Sequence, residues 1–428
     1  MSAFDRIGAR LADPSRMRVY PVMLALVPLT IWAISVATGT GLVDRAGKVI
    51  GADFAAFYMA GVFARQGHIV DLGSLLTQSN FQHALVAPTV VEGFAPWINP
   101  PFFAYAFAPL AAWSYATALV VYWALGIATF VATVVLVRRL LRLQESRGRL
   151  LLLASSYFPT VAWLTFGQAS AFSLALMTAS VTGLLVEQDF LAGLALGALA
   201  YKPQLAIGLG LALVFARRWR AVLGALVSGG GLFAVSFLVA PAATRAWVVG
   251  SPALLAFIRQ SGYPMWGLAS LYGASALLFD GVSRRLAEVV GAVSTLLAVV
   301  ALHHLWRRVP WHPARRSFRL ALASTLAVTL LVSPHLYFYD LMLMLLPAAL
   351  VLAALAPSSE PEHGRSNAPI VAATAWVYFL GLPSPYLALA QQTMTRGLTG
   401  HPAALQVETV AIAVWAWRVG RRAIDEVG

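Results

Sequence analysis

Apolar runs recur along almost the whole of this chain, and many are long enough to compare with the roughly 20 residues that cross a ~30 Å hydrocarbon core. Short polar or proline-containing segments separate them. With 60% hydrophobic and 11% charged residues and a mean hydropathy of +0.76, the chain has too little polar surface to cover a soluble globule. Lipid offers the backbone no hydrogen-bond partner, so runs of this length must be helices. The fold class expected is therefore all-α, a polytopic integral membrane bundle.

The pattern predicts about 12 transmembrane helices, with a range of about 10 to 13. They fall at about 18–38, 114–137, 149–165, 169–186, 190–201, 203–216, 220–240, 286–306, 319–332, 339–356, 369–386 and 403–418. Arginines before an apolar run, with Ser35-Val36-Ala37 after it, resemble a signal peptide, but the run is long enough to be expected to stay as the first span.

Basic residues orient the bundle. An N-terminus in the cytoplasm collects Arg6, Arg10, Arg16 and Arg18, the cluster Arg138 to Arg149, Arg217, Arg218 and Arg220 on the inner side. Arg307, Arg308, Arg315, Arg316, Arg319, Arg365, Arg418, Arg421 and Arg422 join them, most of the 30 lysines and arginines. The expectation is an inner (plasma) membrane protein with both termini cytoplasmic. The net charge of +13 is thus a topology signal. Nucleic-acid binding is excluded as a reading, because the arginines sit in short turns and no basic domain presents them to a duplex.

The 190–216 stretch tests this scheme. As one helix it would carry Lys202 near its middle, at a cost of ~2.5–3.5 kcal/mol, and would throw Arg217, Arg218 and Arg220 outside. Two short arms meeting at Lys202-Pro203, full spans or partly re-entrant, satisfy both constraints. A break at membrane depth is tolerated where it is buried in protein or lines a cavity, which points to a site.

The longest outer segment, about residues 39–113, is expected to be partly helical: Asp53 follows Gly51-Ala52 as an N-cap, and Gly67 closes the run. Trp97-Ile98-Asn99-Pro100-Pro101 then returns the chain to the bilayer, with Trp97 at the interface. Three further outer turns carry polar groups: Gly167-Gln168-Ala169-Ser170, Tyr201-Lys202-Pro203-Gln204, and Ser333-Pro334-His335 through Tyr339-Asp340. Each alone reads as a turn, a cap or a snorkelling side chain. Asp340 begins an apolar run and needs a partner, for which Lys202 is a candidate. Together they describe a polar pocket on one membrane face, where Asp53 accepts a proton, Lys202 pairs with a phosphate, and the others orient hydroxyls.

The order of Asp53-Phe54, Asn99-Pro100-Pro101, Gly167-Gln168, Lys202-Pro203-Gln204 and Ser333-Pro334-His335 with Tyr339-Asp340-Leu341 resembles glycosyltransferase family 87, formerly grouped as a domain of unknown function (DUF2029). The resemblance covers roughly residues 20–360. It implies a membrane glycosyltransferase fold of the C type (GT-C) and a hexosyltransferase, often a mannosyltransferase, that uses a polyprenyl-phosphate sugar on the extracytoplasmic face. It also implies Asp53 as catalytic base and places Lys202 and Pro203 at the donor phosphate. Gln204, Gln168, His335, Asp340, Asn99 and Trp97 are the candidate substrate-binding residues. The chain departs from the family pattern at Asn99, Ser170 and His335, where an aromatic residue, an asparagine and a tyrosine are usual.

The cytoplasmic segments are too short to fold around a nucleotide sugar, so a donor dissolved in the bilayer fits better. The partners expected are that donor, a glycan or glycolipid acceptor, and lipid. The reaction expected is a single inverting displacement, with Asp340 the second carboxylate should the outcome be retention. No cofactor and no metal are expected: His303 and His304 lack a further ligand at metal-binding spacing, and the chain has no cysteine. Gly193 and Gly197 read as helix-packing residues, and glycines 229–231 as no phosphate loop. Residues 1–356 are expected to form the motif-bearing bundle, and 357–428 a polar loop followed by C-terminal helices. The rival class is a transporter or lipid flippase, which would need ionisable groups at mid-bilayer and a gate on each side.

Overall fold

The computed structural model describes residues 2–257, 264–356 and 366–427. It is all-α, with isolated β-bridges but no strand among the described residues. Arg365 and the loop 357–365 lie outside the described residues.

Among the described residues, five helices are long and apolar enough to cross a membrane: Arg16–Ala37, Tyr115–Leu140, Trp219–Val239, Arg284–Arg308 and Phe338–Leu355. A sixth arises if Ala368–Leu380 and Pro383–Thr399, bent by 63°, count as one span. Several of the expected spans are shorter or interrupted. The run at about 149–165 divides into Arg147–Ser156 and Phe158–Phe166, because Pro159 in the second helix removes a donor from the ladder. The remaining expected spans include the shorter apolar helices Ser170–Leu185 and Asp189–Tyr201.

Four of the five long helices present most of their apolar surface outward, with only 11%, 28%, 11% and 17% of their most apolar windows buried. Outward apolar faces of that kind suit lipid. Phe338–Leu355 is different, with 72% buried, and so it runs through the middle of the bundle. Its first turns are 3₁₀ (Phe338–Met344) and carry Asp340.

The two short arms exist as expected. Asp189–Gly197 tightens into the 3₁₀ turn Ala198–Tyr201, the chain breaks at Lys202, and Pro203–Leu205 leads into Ile207–Phe215. Gly193 and Gly197 are indeed packing residues: a Cβ there would lie 1.9 Å from the Ala221 carbonyl oxygen and 2.3 Å from that of Ala225, so only glycine lets the first arm lie against Trp219–Val239. Glycines 229–231 are inside that same long helix.

Several helices were not legible in the hydropathy pattern. Ala3–Leu11 is amphipathic, is capped reciprocally by Ser2 and Asp5, and docks on the C-terminal part of the chain. Phe4 stacks on Trp376 at 5.1 Å, Asp5 pairs with Arg418, and Gly8 is pressed against Ala372. Leu75–Val86 in the 39–113 segment, Pro241–Phe257 and Leu271–Phe279 were likewise unforeseen. The C-terminal helix Val407–Asp425 packs along Arg316–Leu331, where Ser324 donates to the Ala416 carbonyl at 2.8 Å.

Tyr115–Leu140 fixes the long axis. It is about 39 Å long at ~1.5 Å per residue, with Tyr115 beside Gly51 at one end and Arg138 and Arg139 in its last turn at the other. The polar turns named above and the arginine-rich turns therefore occupy opposite ends of the bundle.

Candidate active site

Asp53 does not cap its helix. Gly51 takes that position in the left-handed conformation (φ +69°), and no side chain caps the N-terminus. The expectation of an N-cap is corrected: Asp53 sits within the first turn of Ala52–Gln66, its carboxylate directed to tertiary partners. Gly67 closes the helix at φ +77°, as its position predicts.

The helix is clamped where the carboxylate emerges. Tyr115 donates to the carbonyls of Ile50 and Gly51 at 2.7 and 3.0 Å, and Phe54 stacks on Tyr122 at 4.8 Å. The turn at Gly167 then reaches Asp53 because it has no side chain. Gly167 is left-handed (φ +68°), and a Cβ there would lie 2.8 Å from Phe54 Cβ. That approach puts Gln168 next to Asp53, and Gln168 Nε2 donates to Asp53 Oδ2 at 3.2 Å and to the Tyr339 hydroxyl at 3.0 Å. The Tyr339 hydroxyl in turn bonds the Asp53 carboxylate. Gln168 Oε1 accepts from the Ala169 backbone at 2.8 Å, which fixes which end of the amide faces the acid.

Next to this triad lies a buried ion pair. Lys202 Nζ donates to both oxygens of Asp340, at 2.9 and 3.0 Å, with the two side chains 7% and 4% exposed. Ser170 adds a third hydrogen bond to Asp340, at 2.7 Å, and the ammonium also lies 5.3 Å from the centre of the Tyr339 ring. The partner foreseen for Asp340 is thus the one it has. Tyr339 and Asp340, adjacent in sequence, hold the two halves together: one bonds the Asp53 carboxylate, the other the Lys202 ammonium.

Burial pushes the Asp53 carboxyl up to about 6, against the opposing pull of Gln168, the Lys202 charge and Tyr339, with the Asp340 charge adding to the rise. Burial likewise lowers His335 to about 4, so its half-buried imidazole is neutral at pH 7. His335 is near enough to feel Asp340, which favours its charged form, and Lys202, which opposes it.

The other candidates are more peripheral. Trp97 is 2% exposed and so lies inside protein rather than facing lipid or water. Its backbone is fixed by Gln78 at 2.7 Å, its ring stacks on Phe103, and Phe103 stacks on Tyr201 at 4.2 Å. This aromatic stack runs from Trp97 to the residue before Lys202. The Trp97 indole nitrogen is buried without a hydrogen-bond partner among the described residues. Asn99 is buried and Gln204 half-buried, and neither joins the Asp53–Gln168–Tyr339 network. Sequence reasoning passed over the hydrogen bonds of Tyr339 and Ser170, although both stand in the quoted motifs. A hydroxyl beside a charged residue was the only signal available.

One wall of the site depends on the far C-terminus. Gln406 donates to the carbonyls of Trp266 and Leu268 at 3.0 and 3.1 Å, and Leu268 bridges to Tyr337. Ala269 donates to the Leu336 carbonyl at 2.8 Å, so the segment carrying His335 to Asp340 is tied through 266–269 to the last helices.

The arrangement offers a carboxylate that is ionised near neutrality, a cation about one side chain away, and hydrogen-bonding groups between. No match was found among curated proteins or among solved structures. A family model, Glycosyltransferase family 87, matches residues 97–334, which spans Gln168, Ser170 and Lys202 but begins after Asp53 and ends before His335. That match covers more than half of the sequence, and the chain belongs to glycosyltransferase family 87.

Proposed function

We propose that the chain transfers a hexosyl unit, with mannose the first to try, from a polyprenyl-phosphate sugar to an acceptor hydroxyl on the extracytoplasmic face of the inner membrane. The observation that carries this reading is the pairing of a half-buried carboxylate, raised to about 6, with a buried lysine through Gln168, Tyr339 and Asp340. Asp53 takes the proton of the acceptor hydroxyl as its oxygen attacks the anomeric carbon. The bond from that carbon to the phosphate oxygen breaks, the electron pair leaves with polyprenyl phosphate, and the configuration inverts. An ammonium has three donors, and Lys202 uses two on Asp340, which leaves one for the departing phosphate. Asp340, sealed by Lys202 and Ser170, is occupied, and that supports Asp53 acting without a second carboxylate. Trp97, Asn99, Gln204 and the neutral His335 are assigned to sugar and acceptor hydroxyls. The reaction as drawn requires no metal or other cofactor. The twelve-span GT-C topology with both termini cytoplasmic belongs to the same proposal.

The test is transfer by purified protein from radiolabelled polyprenyl-phosphate mannose and glucose, set against the matching nucleotide sugars. Label should pass from a lipid-linked donor only, with the opposite anomeric configuration in the product. Transfer from the nucleotide sugar alone would overturn the reading.

A pH profile probes the base. Activity requires the ionised carboxylate, so the rate should fall about tenfold per pH unit below about 6. Gln168 stabilises the ionised form, so Gln168→Leu should move that acid limb to higher pH. An unmoved limb would show that another group titrates.

A further inference from the structure

At the arginine-rich end of the bundle the helices Ile207–Phe215 and Arg284–Arg308 finish side by side, and the turns that follow enclose a pocket of about 220 Å³. Arg217, Arg307 and Arg308 line it with Trp311, and no carboxylate does. None of these three arginines forms an ion pair among the described residues. Asp189 is taken up by Arg218, whose guanidinium lies over the Trp311 ring at 5.1 Å. The Trp311 indole nitrogen is itself buried and has no hydrogen-bond partner among the described residues.

Two ordinary explanations fall short. Arginines in the last turn of a helix complement its dipole, which accounts for Arg307 and Arg308. It does not account for Arg217, which sits past the end of a different helix at φ +56°, where glycine is the usual residue. Nor does a topology signal require three arginines to line one cavity with no acid among them. A bound anion supplies the missing countercharge.

We infer that this pocket binds a phosphate-bearing anion, held by Arg217, Arg307 and Arg308. Guanidinium forks suit phosphate oxygens, and arginine and tryptophan are the residues expected where headgroups lie. Trp219, 58% exposed at the start of the neighbouring long helix, marks the same level. The phosphate belongs either to an anionic phospholipid or to a soluble molecule. The site lies a whole helix, Arg316–Leu331, from the Lys202 pair, so it does not depend on the reading of the active site.

The full-length protein should be reconstituted in nanodiscs of phosphatidylcholine with and without phosphatidylglycerol, and the bound lipid measured by native mass spectrometry. A separate arm adds inorganic phosphate to protein in phosphatidylcholine alone and follows thermal unfolding. Wild type should enrich phosphatidylglycerol over phosphatidylcholine by about 10- to 100-fold, given three arginines at the surface. R217Q/R307Q/R308Q should bring that ratio to about one. Arg308→Gln alone serves if the triple variant does not fold. A response to inorganic phosphate without phosphatidylglycerol enrichment would assign the site to a soluble phosphate and support the same chemistry. An unchanged ratio in the charge variants, or no response to either probe, would overturn the proposal.

Discussion

Asp53→Asn is expected to leave a folded, membrane-inserted protein whose sugar transfer falls by about 10²–10⁴-fold, the usual contribution of a positioned general base. The side chains are nearly isosteric, the Gln168 and Tyr339 partners are still present, and a neutral amide no longer carries the burial cost that raises the Asp53 carboxyl. Stability should therefore hold or rise slightly, which separates loss of chemistry from loss of fold. Both are read on one sample, transfer from a labelled lipid-linked donor and the unfolding temperature. Transfer within a few-fold of wild type would remove Asp53 as the base and leave the family assignment untouched.

The second large effect is structural. Asp340→Asn should destabilise the bundle by about 3–5 kcal/mol, because it leaves the Lys202 ammonium buried with only the Tyr339 ring and neutral oxygens around it. Lys202→Met should cost less than that, since Asp340 keeps its Ser170 hydrogen bond. The double variant K202M/D340L should recover much of the lost stability, because apolar groups replace a buried ion pair at little cost. It should not recover transfer. Thermal unfolding in detergent measures all three, and additive losses in the double variant would show that the two residues act independently.

Hydropathy and basic residues made the all-α membrane class legible, and the conflict between a mid-helix lysine and the arginines after it predicted the break at Lys202-Pro203. The convergence of Asp53, Gln168, Lys202 and Asp340 was also legible, as polar turns all assigned to one face. What the pattern could not carry was depth. A window average does not register that Tyr157 and Pro159 break one run, or that Phe338–Leu355 spends its apolar surface on protein neighbours instead of lipid. Trp97 was misplaced for the same reason: composition marks tryptophan as interfacial, whereas Phe57, Phe103 and Gln78 draw this one inward. Ala3–Leu11 escaped because its burial comes from partners some 370 residues away, Trp376 and Arg418, which no local pattern reveals.

Because Asp340 opens the most enclosed of the five long apolar helices, the lysine it grips is anchored inside the protein. Asp53 rides on a helix anchored in the same way, with Phe54, Phe57 and Phe63 buried and packed on neighbouring rings. Neither charge can therefore shift far, and donor and acceptor alike must fit themselves to a preset spacing between carboxylate and cation.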